Sequence, residues 1–138
     1  MKKKFKCVLL IDDQEDSNFL HKRTINSIDC TEKVEVALNG KEAIDFLKSK
    51  MGTSHPQPEI IFLDLNMPVM DGWEFLEEYD KLEEQQKAGI VIVMLTTSLN
   101  PKDQERAIEN KYVKEFVSKY LDESGLMSLI QKYFSDYL

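Results

Sequence analysis

Three short apolar runs in this chain each stop abruptly at a polar residue capable of chemistry. Cys7-Val8-Leu9-Leu10-Ile11 meets Asp12-Asp13, Ile60-Ile61-Phe62-Leu63 meets Asp64, and Ile90-Val91-Ile92-Val93-Met94-Leu95 meets Thr96. A weaker stretch, Phe116-Val117-Ser118, ends at Lys119. Short runs this rich in Val, Ile and Leu predict parallel strands buried on both faces. In open parallel sheets, chemistry collects just beyond the carboxyl ends of the strands. The pattern therefore predicts three carboxylates, a hydroxyl and an ammonium at one sheet edge. Such a set suits a divalent cation and a phosphoryl group.

The intervening segments read as helices. Leu20, Thr24 and Ile28 recur every four residues after Asp13, and Lys33 to Ala37 alternates like an edge strand. Asn39 with Glu42 three residues later resembles a capped helix start, and Ala43, Ile44, Phe46 and Leu47 form its stripe. Gly52 to Pro58 is a turn-rich loop. Pro68 and Asp71-Gly72 punctuate the segment before a helix carrying Trp73, Leu76 and Tyr79. Gln85 to Gly89 reads as a polar connection, and Asn100-Pro101 as a cap followed by proline in the first turn. Leu126, Leu129, Ile130, Tyr133, Phe134 and Tyr137 mark one last amphipathic helix. Strand and helix alternate five times. Right-handed crossovers then give a five-stranded parallel sheet with five helices on both faces.

Composition narrows the function. The 138 residues, 42% hydrophobic, read as one domain with a loose tail over residues 1–4. Net charge is −7, and four of the eighteen basic residues (Lys2, Lys3, Lys4, Lys6) precede the first strand. An acidic body of this kind is expected to avoid nucleic acid. No run approaches the roughly 18 apolar residues of a membrane span. Two cysteines make no disulfide framework, which points to a reducing, cytoplasmic setting.

Taken singly, each polar residue has an ordinary reading. Asp-Asp can be a helix cap, Asp64 a turn former, Thr96 a strand residue, and Lys119 a solvated cation. Their placement at four strand ends of one sheet is what makes a site. Adjacent carboxylates repel unless a cation intervenes, so neutralising either Asp12 or Asp13 is expected to stabilise the metal-free chain. Magnesium, which prefers oxygen ligands, suits the trio. A carboxylate can also attack phosphorus, giving an aspartyl phosphate. His21 and His55 read as surface residues, and Trp73 as a packing residue.

Phe62-Leu63-Asp64-Leu65-Asn66-Met67-Pro68-Val69-Met70-Asp71-Gly72 resembles the most specific motif of response-regulator receiver domains in two-component signalling. The resemblance, closest in style to single-domain chemotaxis regulators, covers essentially the whole chain. It implies a flavodoxin-like sheet of order 2-1-3-4-5 and a stand-alone phospho-switch. Asp64 would be the phospho-acceptor. Asp13 would bind Mg2+ directly, Asp12 largely through water, with the backbone carbonyl of Asn66 as a further ligand. Thr96 would be the switch hydroxyl, Phe116 the switch aromatic and Lys119 the catalytic-site lysine. A histidine kinase or phosphotransfer protein would donate, and residues 101–138 would present the readout surface to a downstream protein. Two departures stand out: Phe116 replaces tyrosine, and Tyr120 replaces the proline that usually follows the lysine. Without proline, a cis peptide is disfavoured by about 2.5–4 kcal/mol, so a trans Lys119–Tyr120 bond is expected. Two other readings remain open at this point. One is a magnesium-dependent phosphatase with an aspartate nucleophile, although Asp12-Asp13-Gln14 lacks the expected Asp-x-Asp. The other is a flavin carrier, although two aspartates would repel its phosphate.

Overall fold

The computed structural model describes residues 1–50, 52–87 and 89–138. The strands are β1 (Val8–Ile11), β2 (Val34–Ala37), β3 (Ile60–Leu63), β4 (Val91–Thr96) and β5 (Val113–Ser118). All pairings are parallel, in the order β2-β1-β3-β4-β5. The helices among the described residues are α1 (Glu15–Ser27), α2 (Gly40–Lys48), α3 (Gly72–Asp80), α4 (Glu84–Lys87), α5 (Pro101–Glu109) and α6 (Glu123–Tyr133), followed by a 3₁₀ turn over Ser135–Tyr137.

Alternation along each strand sends side chains into two cores. Leu9, Ile11, Ile61, Leu63, Ile92 and Met94 meet the residues of α2 and α3, with Ala107 of α5. Val8, Leu10, Ile60, Phe62, Val93 and Leu95 face Ile25 of α1 and Leu126, Leu129 and Ile130 of α6. Burial on both faces is why the strand sequences are continuously apolar instead of alternating.

Local chemistry sets the helix starts. Asn39 accepts the Glu42 N–H at 2.9 Å, and Asn100 accepts that of Lys102 at 3.0 Å with Pro101 in the first turn. Asp71 and Glu74 form a reciprocal capping box at the start of α3.

Several expectations change. The sixth helix is the short α4, inside what the sequence suggests is a plain polar connection; Ala88 of that segment lies outside the described residues. Lys87 holds α4 down, donating to the Asp80 carbonyl at 3.0 Å and the Tyr112 hydroxyl at 3.2 Å. The last helix stops at Tyr133, because Phe134 leaves helical geometry (φ −136°, ψ 39°). The break lets the rings of Phe134 and Tyr137 pack against Phe5, centroids 4.8 and 5.2 Å away. Residues 1–4 are exposed, yet they are not free. Lys3 N–H donates to the Tyr137 carbonyl at 3.1 Å, and Lys4 pairs with Asp29 at 2.9 Å. On α1 the buried face is Ser17, Asn18, His21 and Ile25, not the Leu20–Thr24–Ile28 row. Leu20 is 42% exposed.

Candidate functional site

Strand register builds the site. Ile11 pairs with Leu63 across β1 and β3, so the next residues, Asp12 and Asp64, emerge side by side. The Asp64 N–H donates to the Ile11 carbonyl at 2.9 Å, fixing that juxtaposition. Asp13 follows on the rim, exposed to solvent. Each of Asp12, Asp13 and Asp64 offers one carboxylate oxygen, all within 4.8 Å of one another. Three hard, anionic oxygen donors at this spacing fit a divalent cation, and Asn66 lies exposed in the loop just after Asp64.

The far end of the sheet supplies the positive charge. Thr96 pairs with Ser118 across β4 and β5, which delivers Lys119 to the same edge. Its side chain is 3% exposed, and its Nζ lies 2.6 Å from Asp12 Oδ2 and 3.8 Å from Asp64 Oδ1. The other Asp12 oxygen accepts the Gln14 N–H at 2.9 Å. Asp12 is thus engaged at both oxygens, while Asp13 remains at the surface. Burial pushes the Asp64 carboxyl up to about 6; Lys119 opposes the rise, Asp12 adds to it, the Leu65 N–H opposes it and Asp13 adds a little.

Thr96 is fully buried at the end of β4. Its hydroxyl oxygen accepts the Ser98 N–H at 3.2 Å, and its carbonyl accepts the Lys119 N–H at 3.0 Å. Phe116 is half-buried on the sheet face shared with α2, α3 and α5. The Lys119–Tyr120 bond is cis, which corrects the expected trans form. Backbone hydrogen bonds on either side, Lys119 N–H to Thr96 and Leu121 N–H to His21, hold this loop in place.

Close packing behind Asp64 explains one glycine. A Cβ on Gly72 would lie 2.6 Å from the Asp64 carbonyl oxygen and 3.0 Å from Leu65 Cα. Only glycine lets the start of α3 approach the Asp64–Leu65 backbone this closely.

Residues 8–131 match the response regulator receiver domain family. The chain belongs to that family. Among similar proteins is the probable methanogenesis regulatory protein FilR2 of Methanothrix harundinacea, 30% identical over 125 residues, covering 91% of this chain and 79% of that one. Response regulator Rcp1 of Synechocystis is 28% identical over 127 residues, covering 91% and 84%. A solved two-component response regulator from Cytophaga hutchinsonii superposes with a TM-score of 0.85 at 32% identity, covering 96% of this chain and 99% of the other.

This receiver domain brings Asp12, Asp13, Asp64, Thr96 and Lys119 to one edge, with Phe116 three residues before the lysine. Sequence reasoning misplaced His21. It is 2% exposed, its Nε2 accepts the Leu121 N–H at 3.2 Å, and its ring packs beside Tyr120 with centroids 5.5 Å apart. Burial and the Lys119 charge hold its pKa below the ordinary value, against a smaller opposing effect of Asp12. Asn18 also went unnoticed; its amide donates to the Asp12 carbonyl at 2.8 Å. Both sit on the face of α1 that carries little apolar signal. His55 is half-exposed, its Nδ1 2.9 Å from the Ser49 carbonyl. Trp73 is half-buried against the core, with the Arg106 guanidinium 4.3 Å above its ring. No described helix is long and apolar enough to cross a membrane.

Proposed function

We propose that the domain is a cytoplasmic response-regulator receiver that takes a phosphoryl group onto Asp64 from a histidine kinase or phosphotransfer protein. The observation that carries this reading is the charge constellation: three carboxylates within 4.8 Å and one buried ammonium 3.8 Å from Asp64. A carboxylate oxygen of Asp64 attacks phosphorus, the bond to the donor's imidazole nitrogen breaks, and the donor leaves as neutral histidine after taking up a proton. Charge accumulates on the peripheral oxygens of the transferring group, so catalysis consists of positioning and neutralisation. Lys119 shifts from Asp12 toward those oxygens, and the Thr96 hydroxyl donates to one of them. Asp13 would hold Mg2+ directly, Asp12 largely through water, with Asp64 and the Asn66 carbonyl completing the protein ligands. The chemistry that a bound magnesium ion supplies is neutralisation of charge around Asp64.

Movement of Thr96 toward the phosphoryl group vacates space beside β5, and the Phe116 ring rotates to follow it. Without a ring hydroxyl, this signal is steric only. The altered surface, within residues 101–138, then binds a downstream protein. The test is incubation with acetyl phosphate and Mg2+, followed by intact-mass measurement. The receiver reading predicts one added phosphoryl group, lost when EDTA is included from the start. Steady release of phosphate with no accumulating adduct would favour the phosphatase instead, and flavin uptake without an adduct the carrier.

A further inference from the structure

Lys119 can serve the acid pocket only if the loop after β5 delivers its ammonium there. Two backbone hydrogen bonds hold that loop. The Lys119 N–H donates to Thr96 on β4 at 3.0 Å, and the Leu121 N–H donates to His21 Nε2 on α1 at 3.2 Å. The first anchor is backbone and survives any side-chain change. The second is a single imidazole. His21 lies three residues from Asn18, on the same face of α1, and Asn18 ties that face to the Asp12 carbonyl at 2.8 Å. One helix face therefore grips both the backbone of Asp12, whose carboxylate pairs with Lys119, and the loop that carries Lys119.

A purely apolar contact would be the ordinary choice at this position, since a buried polar group is unfavourable unless hydrogen-bonded. His21 is 2% exposed and makes the bond that justifies its burial. A cavity of about 10 Å3, room for no more than one water, is lined by Asp12, Asn18, His21 and Asp64.

We propose that His21 is a positioning residue for phosphoryl transfer: by accepting the Leu121 N–H at Nε2 it fixes the loop that aims Lys119 at Asp64. The inference rests on Asp64 being phosphorylated. It requires a neutral imidazole with its one hydrogen on Nδ1. Replacement by leucine leaves the Leu121 N–H unpaired and lets the ammonium drift; replacement by glutamine keeps an acceptor near the Nε2 position.

Phosphorylation rates with acetyl phosphate and excess Mg2+ are compared for wild type, His21→Leu, His21→Gln, Lys119→Met and the His21→Leu/Lys119→Met pair. His21→Leu is expected to slow transfer on the order of tenfold, less than the ~10²-fold of a full 1 Å misplacement, while His21→Gln stays near wild type. In the Lys119→Met background the leucine change should add nothing, because a residue acting through Lys119 has nothing left to position. A wild-type rate for His21→Leu, or the same slowing in both backgrounds, overturns the proposal. Failure of wild type itself to gain a phosphoryl group would instead overturn the assignment of Asp64. Nitrogen-15 spectra of the unaltered protein supply a readout independent of turnover and of variant folding. The hydrogen of His21 should reside on Nδ1 at neutral pH, and a hydrogen on Nε2 would refute the clamp.

Discussion

The pairing of Lys119 with Asp12 divides two aspartates that look equivalent in the chain. Asp12 is buried and engaged at 2.6 Å by an ammonium that is itself 3% exposed, whereas Asp13 faces solvent. The expectation that neutralising either one stabilises the metal-free protein therefore holds only for Asp13. Asp12→Asn should lower the melting temperature, by less than the ~3–5 kcal/mol typical of an orphaned buried charge, because Asp64 lies 3.8 Å from the same ammonium. Asp13→Asn should raise it slightly, within the roughly 1 kcal/mol range of exposed charges. Thermal melts in EDTA check this, and equal shifts of one sign would contradict it. Asp64 adds a pH dependence. Its native carboxyl titrates near 6, above its ordinary 3.8, so the native state holds that proton more tightly than the unfolded chain. The resulting stability is present in full below about pH 4 and is lost as pH rises through about 6. Without metal, Asp64→Asn should thus match wild type at pH 4 and exceed it increasingly up to pH 7; melts across that range decide it, and a constant difference would refute it. The polar residues at strand ends were legible because each interrupts an apolar run. His21 and Asn18 were not, since a buried polar face on a helix has no hydrophobic period to mark it.

Among the elements, capped helices were the easiest to locate: Asn39, Asp71 and Asn100 each accept a backbone N–H at the start of a helix. The α1 stripe was misread because its buried face meets the acid pocket and the loop after β5, where polar groups serve as partners. The four-residue α4 is too short for any periodicity to register, and tertiary bonds through Lys87 decide its conformation. The junction between β3 and α3 bears most directly on function. Gly72 N–H donates to the Leu65 carbonyl at 2.9 Å, clasping the loop that carries Asn66 and Pro68. Gly72→Ala would drive a methyl into the Asp64 backbone and should destabilise by about 1–3 kcal/mol. The same displacement should slow phosphorylation of the folded fraction. Denaturant titration with parallel rate measurements tests this, and an unchanged midpoint would show that the α3 junction yields freely.

At the level of the whole molecule, the doubly covered sheet places all its chemistry at one edge and leaves two separate cores to support it. Strand order and the shared edge were readable from the apolar runs together with the family resemblance. The precise spacing of charges was not, because it depends on strand register, a long-range property that short local patterns do not encode. The account stands or falls on the identity of the acceptor. Wild type and Asp64→Asn should be treated in parallel with acetyl phosphate and Mg2+, and any phosphorylated peptide sequenced by mass spectrometry. The account predicts one base-labile phosphoryl group on Asp64 in wild type and none in the variant. An adduct of equal rate and lability in Asp64→Asn, or one mapped to Asp12 or Asp13, would contradict it.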